Sequence, residues 1–168
     1  MLSIFAVEWL EIERNCLVNS LDRKILAALE NNGRLTVTEL AEQVGLSLSP
    51  CHRRVRALEE SGVIRGYRAE LDPGALGLDF SSLVFVTLKD SKSVPAFEDA
   101  VARLDNVVQA QRLFGDPDYL LQVVVRDLPA YQRLYDEQLT RLPGVLRMTS
   151  TLVMKHVVSN RPLTSAME

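Results

Sequence analysis

Residues 36–61, TVTELAEQVGLSLSPCHRRVRALEES, decide the fold of the first half of the chain. Thr36 opens T-V-T-E, a capping box in which the Thr36 hydroxyl meets the Glu39 backbone N–H and the Glu39 carboxylate reaches back. A short helix through Leu40, Ala41 and Val44 follows. Gly45 can leave it in the left-handed conformation, Leu46 can plug the turn, and Ser47 can cap a longer helix running to about Ser61. A short helix, a glycine-containing turn of three or four residues and a longer second helix form the helix-turn-helix pattern.

The second helix carries the chemistry. On a helical wheel Leu48, Cys51, Val55 and Leu58 fall on one side, the expected core face, while Ser49, His52, Arg53 and Arg56 fall on the other. A guanidinium fork can grip a guanine edge or a phosphate through two hydrogen bonds, and Ser49 near the helix start can add a phosphate contact. Pro50 lies in the first turn, where its missing N–H costs little and its ring stiffens the end that approaches DNA. The plainer reading of this face is a solvated basic surface. Cys51 and His52 invite a thiolate–imidazole pair, but neighbours on a helix point about 100° apart, so Cys51 reads as a small core residue.

Outward from this stretch, Ser20 is expected to cap a preceding helix whose Leu21, Ile25, Leu26 and Leu29 share one face and which ends near Asn31, Asn32 and Gly33. Gly62 stops the recognition helix, and Val63 to Leu71 read as short strands making a wing. Arg34, Arg65 and Arg68 then flank the groove, either touching phosphates or remaining free surface arginines. Phe5, Trp9, Ile12 and Cys16 recur at helical spacing in residues 1–20, an extension without which the remaining pattern still stands.

The net charge of −3 looks unsuited to DNA, but its distribution is not. Between His52 and Arg68 stand five arginines against two acids, whereas residues 71–168 carry ten basic and twelve acidic side chains. Two cysteines and two histidines are too few for a disulfide framework or a four-ligand zinc site, and no paired carboxylates or phosphate-cradling glycine loop occurs. The apolar start lacks a basic flank and is too short to span a bilayer, so a cytoplasmic, nucleoid-associated protein is expected.

The pattern changes after Asp72, Pro73 and Gly74. A strand over 82–88, a helix over 94–104 capped by Ser93, strands over 107–114 and 119–125, a helix over 128–142 capped by Asp127 and a strand over 145–153 give the order βαββαβ. That is the ferredoxin-like arrangement, a four-stranded antiparallel sheet with both helices on one face. Val84, Val86 and Leu88 alternate with Leu83, Phe85 and Thr87, so both sides of the first strand are largely apolar and the uncovered side is expected to be buried against another chain. In FGDPDYLL, residues 114–121, Gly115 and Pro117 enforce a turn that sets Asp116 and Asp118 at a strand edge. Those carboxylates either take the ammonium of a ligand or bond their own backbone.

The runs LDRKILAALENNGRLTVTELAEQVGLS, SPCHRRVRALEESGVIRGYRAELDP, GDPDYLL and RLPGV resemble, in order and separation, the Lrp/AsnC family of leucine-responsive and asparagine-type regulators. The resemblance covers about 140 residues from Leu21 onward. It implies an α+β chain in which a winged helix-turn-helix is joined to a ferredoxin-like domain, with sheets pairing into dimers and dimers into tetramers or octamers. It also implies an amino acid or related metabolite as effector, bound near Gly115, Asp116, Asp118 and Tyr119 and near the last strand at Thr151, Leu152 and Val153.

The expected organisation is an extension (1–20), a DNA-binding domain (21–70), a linker (71–81), an effector-binding and oligomerisation domain (82–158) and a tail (159–168). The expected function is sequence-specific regulation of transcription, with Arg34, Thr36, Ser47, Ser49, Pro50, His52, Arg53, Arg54, Arg56 and Arg65 against double-stranded DNA and no catalytic or metal site. Two rivals remain open at this point. One is a nonspecific architectural protein that condenses DNA; the other is an enzyme or enzyme-associated metabolite sensor using the ferredoxin-like half, with a winged helix that only docks onto protein.

Overall fold

The structure is a computed structural model that describes residues 18–167, so the amphipathic pattern at Phe5, Trp9, Ile12 and Cys16 lies outside the described residues. Contacts divide the chain into two units: one runs up to Ala69 and includes the C-terminal segment from Val158, and the other is Glu70–Val157. No described helix is long and apolar enough to cross a membrane.

The first unit is built on α1 (Ser20–Asn31), α2 (Val37–Val44) and α3 (Leu48–Glu60). Asn19, rather than Ser20, caps α1. Its side-chain oxygen accepts the Leu21 and Asp22 amides at 3.0 and 2.9 Å, and Asp22 returns a bond from the Asn19 amide at 3.3 Å. Ser20 is the first helical residue, because Asn19 has a third-position acid, Asp22, to complete a capping box. Ile25, Leu40 and Cys51, one from each helix, are fully or almost fully buried and close the three-helix core. Leu48 was expected on that core face but is 53% exposed and lies outside the buried cluster that Cys51 and Leu58 join. Residues 63–71 form no strands; the wing is an irregular extended segment. Its Tyr67 hydroxyl is tied to Glu59 of α3 at 3.0 Å.

The second unit comprises β1 (Phe80–Leu88), α4 (Val94–Val101), β2 (Val107–Arg112), β3 (Tyr119–Val125), α5 (Leu128–Glu137) and β4 (Val145–Leu152). The sheet order is β2-β3-β1-β4, antiparallel throughout, as the βαββαβ reading requires. Strict alternation along β1 and β3 turns Val84, Val86, Leu121 and Val123 toward the helices, where they are fully buried with Phe97 and Leu139. Burying each such side chain is worth about 1.5–3 kcal/mol.

Several boundaries differ from expectation. β1 begins inside the expected linker, at Phe80, because Phe80 pairs with Val125 and its ring packs 5.1 Å from that of Tyr131. The remainder of that linker holds a 3-10 turn, Gly74–Leu76. The Ser93 hydroxyl makes no cap bond to α4. Asp127 does cap α5, accepting the Ala130 amide at 2.7 Å, and a 3-10 turn, Leu139–Arg141, replaces that helix's expected last turn.

Candidate nucleic-acid interface and ligand cavity

The capping box of α2 is complete. The Thr36 amide and hydroxyl donate to one Glu39 carboxylate oxygen at 2.7 and 2.8 Å, and the Glu39 amide donates to the Thr36 hydroxyl at 3.2 Å. Thr36 is therefore engaged in shaping the helix start. Gly45, at φ 73°, makes the left-handed exit that sets α3 across α2. Ser47 holds the cap position of α3 by backbone only, so its hydroxyl and that of Ser49 remain available at the helix start, beside the stiffening Pro50.

Along α3, His52, Arg53 and Arg56 are exposed on one face. Arg56 pairs with Glu60 at 2.7 Å, but both side chains are about two-thirds exposed, so water or a phosphate can replace that partner at little cost. Arg54 differs. Its guanidinium turns back to Asp22 of α1 at 2.9 Å, where the Asp22 side chain is only 13% exposed. Arg54, expected to face DNA, braces α3 against α1 in this structure. Arg34, Arg65 and Arg68 are exposed beyond the helix.

In the second unit the turn Gly115–Asp118 closes against the Leu88 end of β1. The Asp118 carboxylate accepts the Leu88 amide at 2.7 Å. Asp116 accepts the Thr87 hydroxyl at 2.9 Å and Arg147 at 3.0 Å, and these two bonds, Thr87 first, hold its carboxyl below the usual range. Thr151, Leu152 and Val153 lie at the other end of β1: Leu152 pairs with Ser82, and the Val153 amide donates to Ser81. Six residues of strand separate the two groups, about 20 Å. Within one protomer they form no common site.

What the turn does adjoin is a pair of cavities that share Arg112 and Tyr119. One, about 290 Å³, lies under α4 with Phe97, Glu98, Val101 and Val107 in its lining. The other, about 160 Å³, is lined by Leu88, Asp90, Ser91, Val94 and Asp118 besides the shared pair. Tyr119 is the wall between them. Its ring packs 4.6 Å from that of Phe97 and its hydroxyl donates to Glu98 at 2.6 Å. Burial first, then that bond to a carboxylate, push the phenol up to about 12, so it stays protonated. Arg112, Glu98 and Asp90 line these cavities and were not among the residues expected from sequence near an effector. Only strand register places Arg112 opposite Tyr119 on the helix side of the sheet, and nothing local marks it.

These parts have counterparts. Residues 18–65 match the winged helix-turn-helix DNA-binding model, and residues 81–163 match the Lrp/AsnC ligand binding domain model. A leucine-responsive regulatory protein of Klebsiella pneumoniae is 42% identical over 149 residues, covering 86% of this chain and 90% of the relative. The chain belongs to the Lrp/AsnC family. Another leucine-responsive relative, from Rhizobium meliloti, is 42% identical over 83% of the chain and 91% of its own length. Among solved Lrp/AsnC structures, a transcriptional regulator from Neisseria meningitidis in complex with L-Met superposes with a TM-score of 0.82 at 34% identity, covering 88% of this chain and 98% of that one. A feast or famine regulatory protein from M. tuberculosis, complexed with L-methionine, gives 0.79 at 31% identity over 86% and 97%. As in the family, a DNA-binding unit and a ligand-binding unit are carried on one chain of a transcription regulator.

Proposed function

We propose that this regulator reads DNA with Ser49, His52, Arg53 and Arg56 of α3, assisted by Arg34, Arg65 and the start of α3 at Ser47 and Pro50, and that an α-amino acid tunes the binding. The observation that carries the effector reading is the juxtaposition of Arg112, Asp118 and Asp90 around a cavity of about 160 Å³, opening past Tyr119 toward an apolar groove. A guanidinium takes the carboxylate, the acids take the ammonium, and the groove takes an apolar side chain. The two L-methionine complexes among similar structures support the ligand class.

The same reading makes the chain a cytoplasmic, non-enzymatic homo-oligomer. Cys51 is buried and its thiol pushed up by burial, the opposite of an activated nucleophile. Leu83, Phe85, Leu120 and Val124 form the uncovered sheet face, half-buried in a single copy, and a second such face would complete a core about 10 Å thick. Dimers stacked in turn would bring the Thr151–Val153 end of one protomer to another's Gly115–Asp118 turn.

The test is binding to the protein's own upstream promoter and to a scrambled duplex over a range of salt, with and without single amino acids. A preference of about a thousandfold or more for the promoter is expected, with an amino-acid-dependent shift that Arg112→Ala abolishes. Equal affinity for both duplexes overturns sequence-specific reading, and a normal shift in Arg112→Ala overturns this effector site.

A further inference from the structure

The C-terminal segment returns to the DNA-binding unit. After β4 ends at Leu152 the chain runs without regular structure to Pro162, then forms a single 3-10 turn, Leu163–Ala166. Glu30, in the last turn of α1, grips the start of that turn with both carboxylate oxygens. One accepts the Leu163 amide at 2.9 Å; the other accepts the Thr164 amide at 2.9 Å and its hydroxyl at 2.6 Å. Arg23 donates to the Met167 carbonyl at 3.3 Å.

The spacing fits. Glu30 and Arg23 are seven residues apart, two turns of one helix face, about 10 Å along the axis. Residues 163 to 167 span about 8 Å as a 3-10 turn. The contact is not a hydrophobic one, for Leu163 is 75% exposed and Met154, Val157 and Val158 upstream are also exposed. Polar bonds at the surface hold the segment, and such bonds exchange with water without unfolding either unit. Burial raises the Glu30 carboxyl, but the hydrogen bonds from Thr164 and Leu163 outweigh it and hold it below its usual value, so it is ionised at neutral pH.

We propose that the C-terminal segment is a releasable strap, latched by Glu30 and Arg23 onto α1. The chain then crosses between its units twice, at Ala69/Glu70 and again at Val157/Val158, and the segment after the second crossing is fastened to α1. Asp22, the neighbour of Arg23, is bonded to Arg54 of α3, so a restraint on α1 is passed to the helix that faces DNA. Residues 153–162 join the end of β4 to the latched turn, which makes the last strand of the ligand-binding unit the element that can pull on it. The matched ligand-binding family model ends at residue 163, where the latch begins. A strapped DNA-binding unit is preorganised for two half-sites on one duplex, and release lowers its effective concentration at the second site.

The experiment uses full-length protein, Glu30→Ala and a chain ending at Pro162. Amide exchange at Leu163 and Thr164 reports release; affinity for the upstream promoter reports its consequence. Glu30→Ala is expected to speed exchange about tenfold and to weaken promoter binding at least threefold. The shortened chain should weaken promoter binding equally, and Glu30→Ala should add nothing to it. Unchanged exchange in Glu30→Ala overturns the latch. Faster exchange with promoter affinity unchanged in both variants overturns the strap.

Discussion

Asp22 of α1 and Arg54 of α3 meet at 2.9 Å, thirty-two residues apart in sequence, so the Arg54 guanidinium already has a partner on a neighbouring helix. Arg54→Met keeps the aliphatic stem and leaves Asp22 without its partner. We expect a loss of about 1 kcal/mol in urea unfolding, with the salt slope of DNA binding unchanged. A slope lowered by one unit instead would mean that Arg54 reaches phosphate.

Arg53 presents the contrasting case. It is exposed on the same helix and makes no ion pair among the described residues. Arg53→Ala should weaken promoter binding by about 1–3 kcal/mol, leaving the urea midpoint within error. A retained promoter affinity would remove Arg53 from the interface.

Gly144, in the R-L-P-G-V run, has φ 72°, and a Cβ there would collide with the Ser93 side chain. Its carbonyl also accepts the Lys89 amide at 2.8 Å. Gly144→Ala should destabilise the ligand-binding unit by about 1–3 kcal/mol, seen as a lowered thermal midpoint. Gly144→Ala with Ser93→Gly relieves the collision but not the backbone strain, so recovery should be partial.

Phe97 is fully buried against Tyr119 and lines the larger cavity. Phe97→Ala should cost about 3–5 kcal/mol, whereas Phe97→Leu should cost far less and alter which amino acid shifts DNA binding. Thermal unfolding and the effector titration read the two effects separately.

Tyr119 sets an alkaline limit. Its phenol is pushed from 10.0 to about 12 in the fold, so the folded state holds the proton more tightly than the unfolded one. The stability this contributes is fully present below pH about 10 and is lost as pH rises to about 12. Tyr119→Phe should flatten that part of the decline in a comparison of urea midpoints between pH 9 and 12; a parallel decline in both proteins would contradict it.

The sequence by itself determined what depends on neighbours within about four residues. The Thr36–Glu39 box, the Gly45 exit, the Asp127 cap and the period-two pattern of β1 were legible because hydrogen-bond ring size and side-chain periodicity are local rules. With the element order they gave a helix-turn-helix followed by βαββαβ, and the cluster of arginines gave the DNA-facing helix. The cap of α1 is less legible: Asn19 and Ser20 are both capping residue types, and the return bond of Asp22 is what gives the position to Asn19.

Tertiary structure alone decided what depends on partners far along the chain. Arg54 pairs with Asp22, Arg112 stands opposite Tyr119 across two strands, the Gly115–Asp118 turn lies a strand's length from Thr151–Val153, and the tail is held by Glu30 133 and 134 residues away. A side chain's charge announces that it will find a partner. Which partner depends on the packing of helices and the register of strands, and those are set by summed burial over the whole core rather than by any residue's own neighbours.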